Sequence, residues 1–459
     1  MTCEFVSKNN GNRQLIVIFA GWSTDTTFYS HVAIPGWDTL VVSGYSDMDF
    51  HSSLLDGYAD IALFAWSLGV YAASVCFPFE RACLSVAING TEHPVSDSCG
   101  IPEAIFTGTA ASLNERNLTK FRRRMAGKQY GAVAGSFPAL PIDALREQLE
   151  FIAGHHKSHN RVSHPVWNRV YISGDDMIFP ASSQKEAWSA HSSQPHIIEI
   201  DEPHYVDLLP IIKAALPLPE AIGRRFEKAM PTYNSTATPQ QTIARHLVDL
   251  LSDKFPASDC GRLFRRVLEI GPGSGFLSRH FAEAYHPATI DFVDLFQTDT
   301  FNVAPEENYF VADAELWMAD AAEHSSSVYD IIISASTIQW FANPRQFFLN
   351  AAKCLKPGGM FLCSTFLPGN LEELTEVNPY GIIYRSSNEL SEMLKSAFRV
   401  LTTEEETITT DFRSPREVLS HLIKTGVGGS SRSSLPIGEL LRKLPTRLTY
   451  HPLYILAKK

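Results

Sequence analysis

Three side chains able to carry nucleophilic catalysis stand at the ends of short apolar runs. Ser67 follows IALFAW (61–66) in Ala65-Trp66-Ser67-Leu68-Gly69, the pair Asp175-Asp176 follows NRVYIS (168–173), and His204 follows HIIEI (196–200) in Glu202-Pro203-His204-Tyr205. A serine at a strand-to-helix turn between small residues is a nucleophile elbow, because the turn is too tight for bulk two positions to either side. Ala65 stands where the usual motif has glycine, which keeps the steric logic. A serine capping a buried helix would explain Ser67 alone, but not the three positions together. In this constellation His204 takes the Ser67 proton and Asp176 fixes the imidazole tautomer, with Asp175 as the alternative acid. The Leu68 amide, with a second amide from Gly21-Trp22, holds the tetrahedral oxyanion. Loss of one such donor costs about 10²- to 10³-fold in rate.

A different chemistry is written in Val267-Leu268-Glu269-Ile270-Gly271-Pro272-Gly273-Ser274-Gly275. An apolar run ending in glycines spaced by two reads as a buried strand turning into a helix, here over Phe276–Tyr285. The glycines allow positive φ and close ligand approach, and the helix amides point at that ligand. About twenty residues on, Ile290–Leu295 is a second strand whose Asp294 suits a ribose diol. That much fits NAD as well as S-adenosylmethionine. Four features favour the methyl donor: Glu269 before the glycines, Asp313 in Ala312–Glu315 where adenine would bind, Ser334 ending YDIIIS, and Lys356-Pro357-Gly358-Gly359 before a fifth strand. The cofactor candidates are therefore Glu269, Gly271, Gly273, Gly275, Asp294, Asp313 and Ser334.

The elements that must position these residues follow from the pattern of runs. Apolar runs at 14–21, 39–43, 61–66, 83–88, 168–173 and 196–200, separated by helix-length segments, predict a parallel sheet covered on both faces. That is the α/β-hydrolase arrangement, in which the residues also come in the order Ser, Asp, His. The later strands predict a class I, Rossmann-like methyltransferase fold. Prolines 217, 219 and 231 mark LPLPEAIGRRFEKAMPTYNS (216–235) as a linker, giving domains 1–216 and 217–459. Beyond it, Thr238 caps a helix with Pro239 in first position and an apolar stripe of Ile243, Leu247, Leu250 and Leu251. Residues 112–160 read as a lid, with Leu145, Leu149 and Ile152 at helical spacing and a cationic cluster at Arg122, Arg123 and Arg124. His155, His156, His159 and His164 read as a solvated loop, since no thiol or carboxylate completes a metal set. The glycine- and serine-rich stretch 426–434 reads as a mobile loop.

Composition narrows the classes. A chain of 459 residues with 44% apolar content is expected to form two domains with large cores. Without a long apolar run or a signal-peptide layout, a cytoplasmic protein without membrane association is expected. The seven cysteines include no CxxC pair and suit free thiols in a reducing compartment. A net charge of −11 argues against nucleic acid as a partner. On so acidic a chain, a local arginine cluster suits an acidic macromolecule, which it can steer.

The first half resembles the BioG family of pimeloyl-[acyl-carrier protein] methyl ester esterases over residues 1 to about 215. The shared features are Phe19-Ala20-Gly21-Trp22 with Asp25, the Trp66-Ser67-Leu68-Gly69 elbow, and no strand before the first run. The resemblance implies a carboxylesterase with Ser67, Asp176 and His204 as its triad. The second half resembles the BioC family of malonyl-[acyl-carrier protein] O-methyltransferases over about 222–459. Here the match lies in Arg225-Phe226, Ala229, Thr232-Tyr233, Gln240 or Gln241, Ile243-Ala244 and Leu247, and in Ser334–Trp340 with Phe341. A malonyl carboxylate is already anionic, so orientation and desolvation carry such a reaction and no general base is needed. Tyr233, Gln339 and Trp340 are candidates for the acceptor pocket, with Trp22 and the arginine cluster on the esterase side. Arg442, Lys443 and Arg447 read better as solvated surface than as a second carrier-protein patch. Together the resemblances imply one chain that masks and later unmasks a carboxylate carried on acyl carrier protein in biotin synthesis. The alternatives are a methyltransferase for another small acid fused to a general serine esterase, or to an inactive carrier-binding module.

Overall fold

A computed structural model describes residues 1–9, 12–158, 165–216, 218–256, 264–324, 327–374, 377, 382, 384–427 and 437–459. The chain divides into two compact units, Met1–Ile212 and Lys213–Lys459, each α/β with a mixed sheet.

The first unit is built on seven strands: β1 (Thr2–Ser7), β2 (Gln14–Phe19), β3 (Trp37–Ser43), β4 (Asp60–Trp66), β5 (Leu84–Ile88), β6 (Arg169–Asp175) and β7 (His196–Pro203). They lie in the order β1-β3-β2-β4-β5-β6-β7. From β3 to β7 neighbours pair in parallel, whereas β1 runs antiparallel to β3. The runs at β2, β3, β4 and β5 are buried nearly throughout, as a sheet covered on both faces requires. β1 corrects the expectation that no strand precedes the first run. Its Thr2, Cys3, Glu4 and Phe5 alternate between exposed and half-buried, the pattern of a polar edge strand that carries no continuous apolar signal.

Between β5 and β6 lie the helices Glu103–Ala111, Glu115–Ala126 and Ile142–Ser158. Leu145, Leu149 and Ile152 are buried on one face of the last. That helix also continues through His155 and His156, which corrects their reading as a loop. Their rings pack on Tyr71, whose hydroxyl lies 2.7 Å from His155 Nδ1. His159 and His164 lie outside the described residues. Among the described residues no cluster of histidine, cysteine or carboxylate side chains could hold a metal, and no helix is long and apolar enough to cross a membrane. Cys3, Cys76, Cys83, Cys99, Cys354 and Cys363 are free thiols; Cys260 lies outside the described residues.

The second unit contributes β8 (Arg266–Ile270), β9 (Thr289–Asp294), β10 (Glu306–Val311), β11 (Tyr329–Ser334), β12 (Leu355–Phe366), β13 (Arg399–Glu405), β14 (Ile408–Asp411), β15 (Arg447–Tyr450) and β16 (Pro452–Lys458). Its main sheet has the order β10-β9-β8-β11-β12-β16-β13. The first five strands are parallel, and β16 inserts antiparallel between β12 and β13. Leu453 to Ala457 of β16 are buried at the centre of this arrangement. The pair β14–β15 forms a separate small sheet. Lys356–Gly359 falls within β12, at a register irregularity opposite β11.

The stretch read as a linker is instead the helix Pro219–Thr236. Pro219 occupies the first turn, where no amide donor is needed, and Pro231 sits inside. The helix persists because Ile222, Gly223 and Ala229 are buried; this tertiary packing outweighs the missing bond at Pro231. The following helix runs Thr238–Lys254, so Ala237 rather than Thr238 is its cap residue. The expected stripe of Ile243, Leu247, Leu250 and Leu251 is buried. Gly426 closes the helix Pro415–Thr425 in the left-handed conformation, and 428–434 of the expected loop lies outside the described residues.

Candidate active sites

β4 delivers Ser67 into a strained turn, with φ 58° and ψ −127°, a conformation costing on the order of 1–3 kcal/mol. Its amide donates to Ile88 O at 2.9 Å. The surroundings explain the small residues nearby. A Cβ on Gly69 would lie 2.2 Å from Phe19 O, and one on Gly90 2.3 Å from Ser67 O. From this turn Ser67 Oγ lies 2.9 Å from His204 Nε2, and His204 Nδ1 lies 2.8 Å from Asp176 Oδ2. The carboxylate is itself fixed: Oδ1 accepts the Ile178 and Phe179 amides, both at 2.8 Å, and Oδ2 accepts Gln184 Nε2 at 3.1 Å. Asp175 ends β6 and is exposed. The His204 carbonyl accepts Trp66 Nε1 at 3.0 Å and Asn89 Nδ2 at 2.8 Å. Both the His204 and Asp176 side chains are fully buried. A buried serine bonded to an imidazole whose far nitrogen meets a carboxylate can act as an activated nucleophile.

A small cavity opens beside Ser67, bordered by Trp22, Leu68, Phe106, Phe121 and Arg124. Trp22 Nε1 donates to Leu145 O at 3.0 Å. The arginine cluster splits. Arg122 is half-buried, donates to Ser23 O at 3.2 Å and Pro138 O at 2.9 Å, and lies over Phe137. Arg123 lies over Tyr130, and Arg124 reaches the cavity wall. Sequence reasoning missed Asn89 and Gln184. Asn89 follows β5 directly with φ 47°, and a polar residue after a buried strand is also the ordinary mark of a turn.

In the second unit the turn after β8 has Gly271, Gly273 and Gly275 at φ +66°, +52° and +80°. A Cβ on Gly271 would come within 2.3 Å of Thr337 Oγ1. The turn borders a cavity that Tyr233, Gln240, Glu269, Asp294, Asp313 and Trp340 also line. Asp294 Oδ2 accepts the Gly273 amide at 3.0 Å, and Oδ1 accepts the Leu295 amide at 2.7 Å. Asp313 Oδ1 accepts the amides of Glu315 and Leu316. Burial pushes the Glu269 carboxyl up to about 8, with the Asp294 charge adding to it, and pushes Asp294 up to about 6. Burial and Asp294 likewise raise the Tyr233 hydroxyl.

Two expected residues turn away from this space. Ser334 is fully buried and donates to Ile270 O at 2.9 Å, while Ala335, Ser336 and Thr337 form the wall. Gln339 donates to Ser336 O at 2.5 Å and accepts Thr365 Oγ1 at 3.5 Å. Gln240, quoted only as part of a motif, has a larger place than that. It is 5% exposed and lines the cavity, and both polar atoms of its amide lack a partner. Glu269 Oε2 and Ser274 Oγ are likewise buried and unpartnered. Buried polar groups are ordinarily bonded, so this set suits a polar ligand. Arg447 pairs with Asp411 and Lys443 with Glu439, both at the surface.

Comparison with known proteins agrees with this division. Residues 1–210 match the family described as pimeloyl-ACP methyl esterase BioG, and residues 237–397 match a methyltransferase domain. A malonyl-[acyl-carrier protein] O-methyltransferase of Bacteroides fragilis is 36% identical over 485 residues, covering 100% of this chain and 95% of that one. A protein of the same name from Porphyromonas gingivalis is 34% identical over 262 residues, covering 52% of this chain and 95% of its own. A crystal structure of BioG from Haemophilus influenzae is 32% identical, covers 45% of this chain and 94% of that one, and superposes with a TM-score of 0.41. The chain belongs to the malonyl-[acyl-carrier protein] O-methyltransferase family, with a BioG domain ahead of its methyltransferase domain.

Proposed function

We propose that this protein is a bifunctional enzyme of biotin synthesis. Its second domain, 217–459, methylates the free carboxylate of malonyl-[acyl-carrier protein] with S-adenosylmethionine. Its first domain, 1–216, is an α/β-hydrolase with a lid over 112–160, and it hydrolyses the methyl ester of pimeloyl-[acyl-carrier protein]. The full-length match to a malonyl-[acyl-carrier protein] O-methyltransferase carries the first activity. The hydrogen-bonded series Ser67–His204–Asp176 beside an apolar cavity supports the second.

The second unit's cavity fits the methyl donor. Gly271, which has no room for a Cβ, and Gly273, held at positive φ, border it, and the unpartnered atoms of Gln240, Glu269 and Ser274 line it. When bound, S-adenosylmethionine supplies an electrophilic methyl group on a sulfonium. Asp294 receives the ribose hydroxyls, Asp313 borders the adenine, and Glu269 and Gln240 meet the amino-acid end. Tyr233 and Trp340 enclose the acceptor and exclude water, which leaves its carboxylate poorly solvated and reactive. That carboxylate attacks as the anion, so no residue has to remove a proton.

In the first unit His204 takes the proton of Ser67 Oγ as that oxygen bonds to the ester carbonyl carbon, and Asp176 stabilises the resulting imidazolium. The Leu68 and Trp22 amides receive the oxyanion. His204 returns the proton to the departing methoxide, giving methanol, and then activates a water molecule to release the acid. Arg124 at the cavity edge suits the acidic carrier protein. Incubating malonyl-loaded carrier protein with Ser67→Ala protein and S-adenosylmethionine tests the transferase reading. A mass gain of one methyl group is expected, and no gain under conditions where the donor binds would refute it.

A further inference from the structure

Arg225 lies on the helix Pro219–Thr236 and neighbours the cavity-lining Phe226. It is half-buried. Its guanidinium stands over the Trp340 ring, 5.6 Å from the centroid, and Trp340 is itself a wall of the cavity. Phe226 packs edge-on against the same indole at 5.6 Å and 84°, so both side chains pack on one ring. The guanidinium makes one long hydrogen bond, from Nη1 to Gly426 O at 3.5 Å. Among the described residues no carboxylate pairs with it, whereas the adjacent Arg224 faces Glu220 on the exposed side of the helix. Burial alone lowers its pKa, with no acidic neighbour acting in the other direction. A cation withdrawn from water without an anion is unfavourable. A planar guanidinium is also the donor best shaped for a carboxylate.

We propose that Arg225 reads the free carboxylate of the acceptor, an assignment that rests on the carboxyl-methylation reading above. The guanidinium holds one carboxylate oxygen against the Trp340 wall. The other oxygen forms the new bond to the methyl carbon as that carbon's bond to sulfur breaks and the electron pair stays on sulfur; no proton moves. The product ester is neutral, so the contact that held the substrate is lost on turnover. Arg225 therefore separates substrate from product, which a general carrier-protein contact would not do.

The test compares binding of malonyl-loaded carrier protein and its methyl ester to wild-type, Arg225→Gln and Arg225→Lys proteins, all with S-adenosylhomocysteine present. Affinity for S-adenosylhomocysteine itself checks that each variant is folded. The wild type is expected to prefer the free acid by about 10- to 100-fold, the range of a hydrogen bond to a charged group. Arg225→Gln should bind the two equally well, with Arg225→Lys between, and kcat/KM should fall by a similar factor. Equal weakening of both ligands would assign Arg225 to the carrier or its phosphate instead. An unchanged preference in Arg225→Gln overturns the proposal outright. If Arg225→Gln fails to bind S-adenosylhomocysteine, the lysine variant carries the same comparison. Failure of the wild type to methylate malonyl-carrier protein at all would remove the parent reading, and this inference with it.

Discussion

Both units hang their candidate sites on the C-terminal ends of parallel strands, yet they differ in how their polar atoms are satisfied. In the first unit Ser67, His204 and Asp176 bond to one another and Asn89 to the His204 carbonyl, and of the supporting Gln184 amide only Oε1 is left without a partner. In the second, Glu269 Oε2, Ser274 Oγ and both ends of the Gln240 amide are buried with no partner. On the proposed reading the first unit carries its whole reacting apparatus in side chains and must hold it ready. A methyltransferase takes its electrophile from a cofactor, so its site is completed only by ligand.

The largest way to break this comparison is Ser67→Ala. Ester hydrolysis should fall by about 10⁴-fold or more, while methyl transfer by the same protein is unchanged; equal loss of both would mean the two sites are not independent. Next is Gly271→Ala, whose Cβ meets Thr337 at 2.3 Å. Calorimetry should show S-adenosylhomocysteine affinity reduced about 100-fold, from strain and lost approach, with hydrolysis intact. Gln240→Leu is expected to lower that affinity about 10-fold and to leave 5′-methylthioadenosine, which lacks the amino-acid end, unaffected. Similar losses for both ligands would argue that Gln240 supports the fold rather than the ligand.

The remaining effect concerns pH. Glu269, held protonated by burial to about 8, ionises at a lower pH in the unfolded chain. The unfolded state therefore binds fewer protons across that interval, and stability declines as pH rises toward 8. The thermal transition of the second unit should fall by about 6–13 °C between pH 5.5 and 8.5, because a folded pKa of about 8 makes the loss about 3 kcal/mol in a unit of this size. Glu269→Gln should flatten the slope; a slope that survives would place its origin elsewhere.

Much of both sites was legible because their chemistry depends on short-range order. A serine between small residues after an apolar strand, and glycines spaced by two after another, are dictated by local backbone geometry. Asp176 could be preferred over Asp175 but not fixed, because adjacent residues of one loop differ only in which side chain turns inward. The helix Pro219–Thr236 was hidden by its prolines, since its stability comes from burial of Ile222 and Ala229, and the cavity wall at Phe226 and Met230 was hidden with it. β1 gave no signal as a polar edge strand. The diversion of Arg122 onto the Ser23 and Pro138 carbonyls is likewise a tertiary event that a run of three arginines does not disclose.

The central claim is that one chain both installs and removes a methyl ester on a carrier-bound acid. Its most direct test is the intact mass of pimeloyl methyl ester on acyl carrier protein after incubation with wild-type and Ser67→Ala protein. The account predicts conversion to the free acid by the wild type and survival of the ester with the variant. Survival of the ester with both would contradict it and leave the first unit as a module that binds the carrier without acting on it.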